Sequence, residues 1–232
     1  MKVTVIDFET TGIPSDDHPA AIVEAGFYNV ADVEVFADVT VPGWQSFVRT
    51  SVAVDIPARA VHHITDAEIA TGIPAEHALT TLMDQRPDYF CAHNAEFEQN
   101  FFSGGGTPWL DTFKIGLRLW PDAPAHSNQV LRYWLGLVLP EALAMPPHRA
   151  LPDCYVTANI LKKQIETGTP LSDLAAWSKQ PALLVKVGFG KHRGKAWADV
   201  DSGYLKWCLD QDMDKAVKHT ARHHLKLRDG KR

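Results

Sequence analysis

Long apolar runs are missing from the sequence: no stretch approaches the roughly 20 residues that a membrane helix needs. That excludes a helical membrane span and predicts a protein with no membrane partner. The opening run MKVTVIDFET meets Asp7 too early for a secretory leader, so the expected location is cytoplasmic. Cysteine is scarce as well. Cys91, Cys154 and Cys208 form no CxxC pair and are odd in number, which argues against a zinc site or a disulfide framework and for reduced, buried thiols.

Basic residues are few in most of the chain. Residues 1–185 hold 11 Lys/Arg against 22 Asp/Glu, a net −11, whereas residues 186–232 hold 12 against 6, a net +6; the sum is the −5 of the whole chain. A basic tail on an acidic body suggests a polyanionic partner, with a merely solvated basic face as the alternative. At 232 residues, 45% hydrophobic and 22% charged, the chain can build one sizeable core and a small appendage.

Residues 2–9 alternate as a strand with Val3, Val5, Asp7 and Glu9 on one face and Thr4, Ile6 and Phe8 on the other. AIVEAGFYNV and VEVFADVTV read as two further strands, antiparallel neighbours in one sheet. The segment 43–64 reads as irregular, and TDAE at 65–68 as a capping box. A helix is expected from about Pro74 to Gln85, a buried strand in DYFCAH and a helix in AEFEQNFF, ended by the glycines at 104–106. WLDTF leads into a helix over Lys114–Leu119. Ser127 can cap the next, and the last long helix of the body covers about 150–166. The pattern is α/β: a mixed central sheet flanked by helices.

Several carboxylates stand where the pattern calls for something apolar. Asp7 and Glu9 share a strand face with Cα atoms roughly 7 Å apart, at the C-terminal strand end where ligand sites gather. Two such charges repel unless a cation lies between them; solvated carboxylates at a strand's end are the plain alternative. Asp153 falls within the apolar arc of its helix, beside Val156, Thr157 and Ile160, where an ionised carboxylate costs several kcal/mol unless it is paired or metal-bound. A structural salt bridge would also satisfy it. In AHNAEFEQNFF, Glu98 lies about 100° from Phe97 on the side of Phe101 and Phe102, whereas Glu96 lies about 100° the other way and reads as solvent-facing. Hard oxygen ligands with no cysteine or histidine cage suit Mg2+ or Mn2+, and two such ions roughly 4 Å apart can drive an in-line phosphoryl displacement. His148, on the loop entering the Asp153 helix, is a candidate general base, with an ordinary surface histidine as the other reading.

VIDFETTG (5–12), AHNAEFEQNFF and HRALPDC (148–154), with its H-x4-D spacing, resemble in order and distance the three motifs of the DEDDh 3′-to-5′ exonucleases of the ribonuclease-H-like superfamily. GLRLWPDAPAHSNQVLRYWLGL and FGKHRGKAWADV resemble a bacterial branch of that family with a small C-terminal module. The resemblance implies a ribonuclease-H-like exonuclease fold. Asp7, Glu9, Glu98 and Asp153 would hold two Mg2+ or Mn2+ ions, and His148 would deprotonate the attacking water. It also puts Phe8, Thr10, Thr11 and Gly12 beside the terminal nucleotide of a DNA 3′ end, with His62 or His63, the latter preferred, and Asn94 as further contacts, and it implies a nucleoid-associated enzyme. Glu98 departs from the family's usual Asp by one methylene.

In the tail, VGFGKHRGKA lacks the G-x4-G-K-[ST] spacing of a phosphate loop. Lys191, His192, Arg193 and Lys195 would meet phosphates through charge, while Trp197, Tyr204 and Trp207 either stack on bases or form the core of the module. The expected division is an exonuclease domain at 1–168, a linker or short helix at 169–185 and a basic module at 186–232. An RNA-trimming enzyme and a non-catalytic nucleic-acid-binding relative are the rival functions.

Overall fold

The computed structural model describes residues 1–15, 17, 19–31 and 43–230. Strands β1 (Val3–Thr10), β2 (Ile22–Val30), β3 (Trp44–Arg49), β4 (Ile73–Pro74), β5 (Tyr89–Ala92) and β6 (Trp109–Asp111) form one sheet in the order β4-β3-β2-β1-β5-β6. β1 pairs antiparallel with β2 and parallel with β5, so the sheet is mixed. The helices are α1 (Ile56–His62), α2 (Asp66–Ala70), α3 (Ala75–Met83), α4 (Ala95–Glu98), α5 (Thr112–Leu119) and α6 (Asn128–Trp134). After them come α7 (Glu141–Ala144), α8 (Ala150–Glu166), α9 (Leu171–Lys179), α10 (Ser202–Asp210) and α11 (Lys215–Asp229). None of these helices is long and apolar enough to cross a membrane.

Both faces of the sheet are covered, which is why β1 alternates two apolar sets. Val3, Val5, Tyr28, Cys91 and Leu110 pack on Ile115 of α5, Cys154, Ala158 and Leu161 of α8, and Leu174 of α9. Ile6, Phe8, Phe27, Phe90 and Trp109 pack on Ala78 and Leu82 of α3 and on Phe102. The thiols of all three cysteines are free and buried, as expected.

Residues 44–49 are a strand and 56–62 a helix, not irregular chain; the strand is short and only one of its residues, Val48, is fully buried, so its period-2 signal is weak. The expected strand VEVFADVTV lies outside the described residues. The helix of AEFEQNFF stops after one turn, and three-residue strand β6 has too few residues to show a period. Thr65 and Glu68 form the capping box, whereas Ser127 stands at the start of α6 without a side-chain cap bond. Residues 169–185 include α9, and this helix is built into the body: Leu174 and Ala175 are in its core and the Ser178 hydroxyl accepts from the Asp111 N–H at 2.8 Å. Past it, Val187, Trp197, Val200, Leu205, Cys208, Val217 and Ala221 make a separate small core. Trp197 and Tyr204 are thus core residues, while Trp207 is exposed.

Candidate active site

β1 carries Asp7 and Glu9 to the C-terminal end of the strand, beyond its last pairing with β5 at Val5 and Cys91. α8 reaches the same point because of Gly26, which pairs with Asp7 across the β1–β2 ladder. A Cβ on Gly26 would stand 2.9 Å from both the Ala150 carbonyl carbon and the Leu151 nitrogen, so only glycine lets the helix start this close. The Cys154 thiol then donates to the Gly26 carbonyl at 3.3 Å, and the preceding residue, Asp153, meets the strand carboxylates. One oxygen from each of Asp7, Glu9 and Asp153 lies within 4.8 Å of the others.

Glu98 joins the same pocket of about 320 Å3, together with Phe8, Asn94 and His148. Its side chain is buried, and Oε2 has no hydrogen-bond partner. An unpaired buried carboxylate oxygen in a pocket that holds three other carboxylates is unfavourable as it stands and suits a cation. Burial pushes Glu9 up to about 8, with Asp153 and Glu24 adding to it, and burial followed by repulsion from Glu9, Asp153 and Glu98 holds Asp7 well above the usual carboxylate range. Glu98 is likewise raised, by burial first and then by Asp111 and Glu9. The donor set, carboxylate oxygens alone, fits a hard divalent ion.

Further polar groups hold these carboxylates in place. Asp153 accepts from the His148 N–H at 2.7 Å through Oδ2 and from Gln129 Nε2 at 3.2 Å through Oδ1. Burial still raises it, with those bonds opposing. His148 itself is exposed, in a left-handed conformation (φ 60°). The residue after it is anchored: Arg149 grips buried Glu24 through two bonds of 2.7 and 3.0 Å and lies over the Phe47 ring, and the Ala150 N–H donates to the same carboxylate at 3.0 Å. Asp111 is a second hub. Its carboxylate accepts from the N–H groups of Asn94, Ala95 and Lys114, capping α4 and α5 together; burial nevertheless raises it to about 6. His93 is locked between the Thr112 hydroxyl (2.9 Å) and the His126 carbonyl (2.8 Å), and burial lowers it to about 4.

Sequence reasoning missed Gly26, Glu24, Arg149, Asp111, His93 and Gln129. Asp111 had a signal, an aspartate directly before a helical run, but nothing local marks the long-range partners.

Beside the carboxylate pocket a second cavity of about 450 Å3, with apolar walls from Ile13, Pro57, Ala58 and Val61, shares Phe8, Glu9 and Phe97 with it and includes Thr10 and Gly12. Two of the expected contacts, His63 and Thr11, do not line this cavity. His63 is exposed as the left-handed cap of α1, and His62 is the histidine that lines this cavity. Its Nδ1 accepts from the Ile64 N–H at 2.9 Å, and burial, partly offset by the Thr10 carbonyl, lowers its pKa. Thr11 is buried and taken up internally: its hydroxyl and carbonyl accept from Ala21 and Asp55 and its N–H donates to Ala21. Thr10 is also buried and donates its hydroxyl to the Gly12 carbonyl at 2.9 Å, and Asn94 sits in left-handed conformation at the start of α4, lining the carboxylate pocket.

Lys191, Arg193 and Lys195 lie exposed on a turn of the C-terminal module, Lys191 over the Tyr204 ring, and none of them lines the carboxylate pocket. Glu96 is not a free surface carboxylate. Its two oxygens take Lys114 of α5 and Lys215 of α11, each at 2.7 Å; burial pushes its pKa up, but the two ammonium groups outweigh that and hold it below the usual range.

A mixed sheet in this strand order, with four carboxylates and a histidine gathered at the end of its central strand, defines a ribonuclease-H-like exonuclease of the DEDDh class. No family model matches the chain. Among solved structures, that of exonuclease X in complex with 5′ overhanging duplex DNA has a TM-score of 0.65 and 28% identity, covering 76% of this chain and 99% of that one. The nuclease domain of 3′hExo, a DEDDh family member bound to rAMP, shares the fold at a TM-score of 0.57 and 14% identity over 72% of this chain and 92% of that one. Exodeoxyribonuclease 10 of Escherichia coli strain K12 is 30% identical over 227 residues, 95% of this chain and 97% of that enzyme. The chain belongs to this exodeoxyribonuclease family.

Proposed function

We propose that the protein is a divalent-metal-dependent 3′-to-5′ exonuclease that removes nucleoside 5′-monophosphates from DNA. The observation that carries the reading is the convergence of Asp7, Glu9 and Asp153 within 4.8 Å, with the unpaired Glu98 oxygen and His148 in the same pocket. Two Mg2+ or Mn2+ ions held by Asp7, Glu9, Glu98 and Asp153 would acidify a bound water and neutralise charge developing on the leaving oxygen. The chain's own groups do the rest. His148 accepts the proton of the attacking water through its imidazole, and its solvent exposure lets that proton leave. The bond from its N–H to Asp153 fixes the loop, so base and carboxylate keep one spacing. The apolar cavity beside Phe8 and His62 receives the terminal base, with Thr10, Gly12 and Asn94 near its sugar and phosphate. His62 takes the role expected of His63.

In this reading residues 1–168, extended by α9, form the nuclease domain and the basic module from 186 onward adds affinity. Lys191, Arg193 and Lys195 would meet phosphates without regard to sequence. DNA is favoured over RNA because the relative at 30% identity is an exodeoxyribonuclease and the structure at 28% identity holds duplex DNA. The test uses 5′-labelled single-stranded DNA, duplex DNA and RNA with Mg2+, and an Asp7→Ala control. A ladder shortening from the 3′ end of DNA, absent in the control, is expected; internal cuts, or none, defeat the proposal.

A further inference from the structure

The sequence points to the turn at 191–195 as the basic feature of the module. The structure draws attention to another element. Residues 215–229, the whole of α11, hold five Lys/Arg against one Asp. Stepped at about 100° per residue, Lys215, Arg222 and Lys226 fall within about 40° of one another and Lys218 about 60° away. Val217, Thr220 and Ala221, on the other side, are buried in the module. Arg228 is excluded from the stripe, because it donates to the Ala198 and Val200 carbonyls and to the Ser202 hydroxyl. Lys215, Arg222 and Lys226 are exposed and Lys218 is half-buried. At about 1.5 Å per residue the stripe is about 16 Å long, roughly five steps along one strand of a duplex.

Its placement gives the stripe a direction. A groove of about 530 Å3 shares Asn94 and Phe97 with the catalytic pocket and runs along Gln99 and Asn100 to Lys215, the first residue of α11. The one carboxylate in that groove wall, Glu96, is occupied by Lys114 and Lys215, so it presents no unpaired negative charge to a passing phosphate. A body with a net charge of −11 would otherwise repel the strand here. The turn at 191–195 lines neither the pocket nor the groove.

We infer that the Lys215, Lys218, Arg222 and Lys226 face of α11 binds the phosphates of the polynucleotide whose 3′ end occupies the catalytic pocket. The occupant is nucleic acid, chosen by charge complementarity and by continuity with the pocket, and the inference rests on the exonuclease reading above. The stripe supplies affinity for long substrates and contributes nothing to the hydrolysis of a single nucleotide ester.

The test compares the full chain with Arg222→Glu and Lys226→Glu, singly and together, and with Lys206→Glu, an exposed lysine on α10 that controls for net charge. Hydrolysis is measured on a 20-nucleotide DNA across a salt series, and on the p-nitrophenyl ester of thymidine 5′-monophosphate. The double variant is expected to raise KM for the long DNA roughly tenfold or more and to lessen the salt slope by about 2. Turnover of the ester should be unchanged, which also shows that the site remains folded. Unchanged KM and salt slope on the long DNA overturn the inference, as does an equal effect from Lys206→Glu. If the unaltered protein cleaves neither substrate, the exonuclease reading itself fails.

Discussion

Asp7→Asn should make the cation-free protein more stable while abolishing its activity. Two unit charges 4.8 Å apart repel by about 3.5 kcal/mol at an effective dielectric of about 20, and Asp7 faces both Glu9 and Asp153 at or within that distance. Bound protons relieve part of this, since Glu9 is held up to about 8 and Asp7 is raised well above its usual range. A net gain of about 2 kcal/mol for the variant at pH 8 is the expectation, which for a chain of this size moves Tm up by about 4–8 °C. The sign with pH follows from the direction of the shifts. Carboxylates raised on folding bind protons more tightly in the folded state, so the contribution of this cluster is most favourable below about pH 4.5 and is lost as pH rises toward 8. The advantage of Asp7→Asn should therefore shrink to nothing near pH 4. Added Mg2+ should stabilise the parent at pH 8 and the variant much less. Scanning calorimetry with chelator and with Mg2+, at pH 4 and 8, measures all of this. A lower Tm for Asp7→Asn than for the parent at pH 8 in chelator, or a parent indifferent to Mg2+, would refute the reasoning.

Glu98→Gln keeps the shape of the side chain and removes its charge; turnover on 5′-labelled DNA should fall by about 100-fold or more, and near-normal activity would remove Glu98 from the ligand set. Gly26→Ala places a methyl 2.9 Å from the backbone of Ala150 and Leu151, so a loss of about 1–3 kcal/mol in urea unfolding is expected, along with reduced activity as α8 is pushed from β2. Among the described residues, Arg149→Ala leaves buried Glu24 with only the Ala150 N–H, and should cost about 3 kcal/mol by the same measurement; Glu24→Gln with Arg149 intact should cost less.

The clustered carboxylates were legible in the sequence because each breaks a pattern. Asp153 interrupts an apolar helix face, and Glu98 points with the phenylalanines, so a carboxylate in either place demanded a reason. The long helix at 150–166 was equally plain, since seventeen residues carry several turns of periodicity. β6, with three residues, carries almost none. The residues that position the ligands were not legible, because their partners are distant in the chain: Glu24 meets Arg149 at a separation of 125 residues and Asp111 meets Ser178 at 67. Glu96 shows the same limit. The helical wheel put it correctly away from the core, but it cannot show that two other helices send lysines to meet it.

Gly26 sets more than a local approach. Where α8 meets β2, main chain rests against main chain, and the Asp153 carboxylate hangs one residue from the Cys154 contact. The width of the ligand cluster is therefore fixed by backbone thickness, a dimension that no side-chain substitution elsewhere in the core can shorten. Exchanges among Val156, Ile160 and Leu161 should alter how firmly the helix is held while leaving the spacing of the carboxylates nearly constant. A nuclease built this way can drift widely in its core sequence without losing the gauge of its active site.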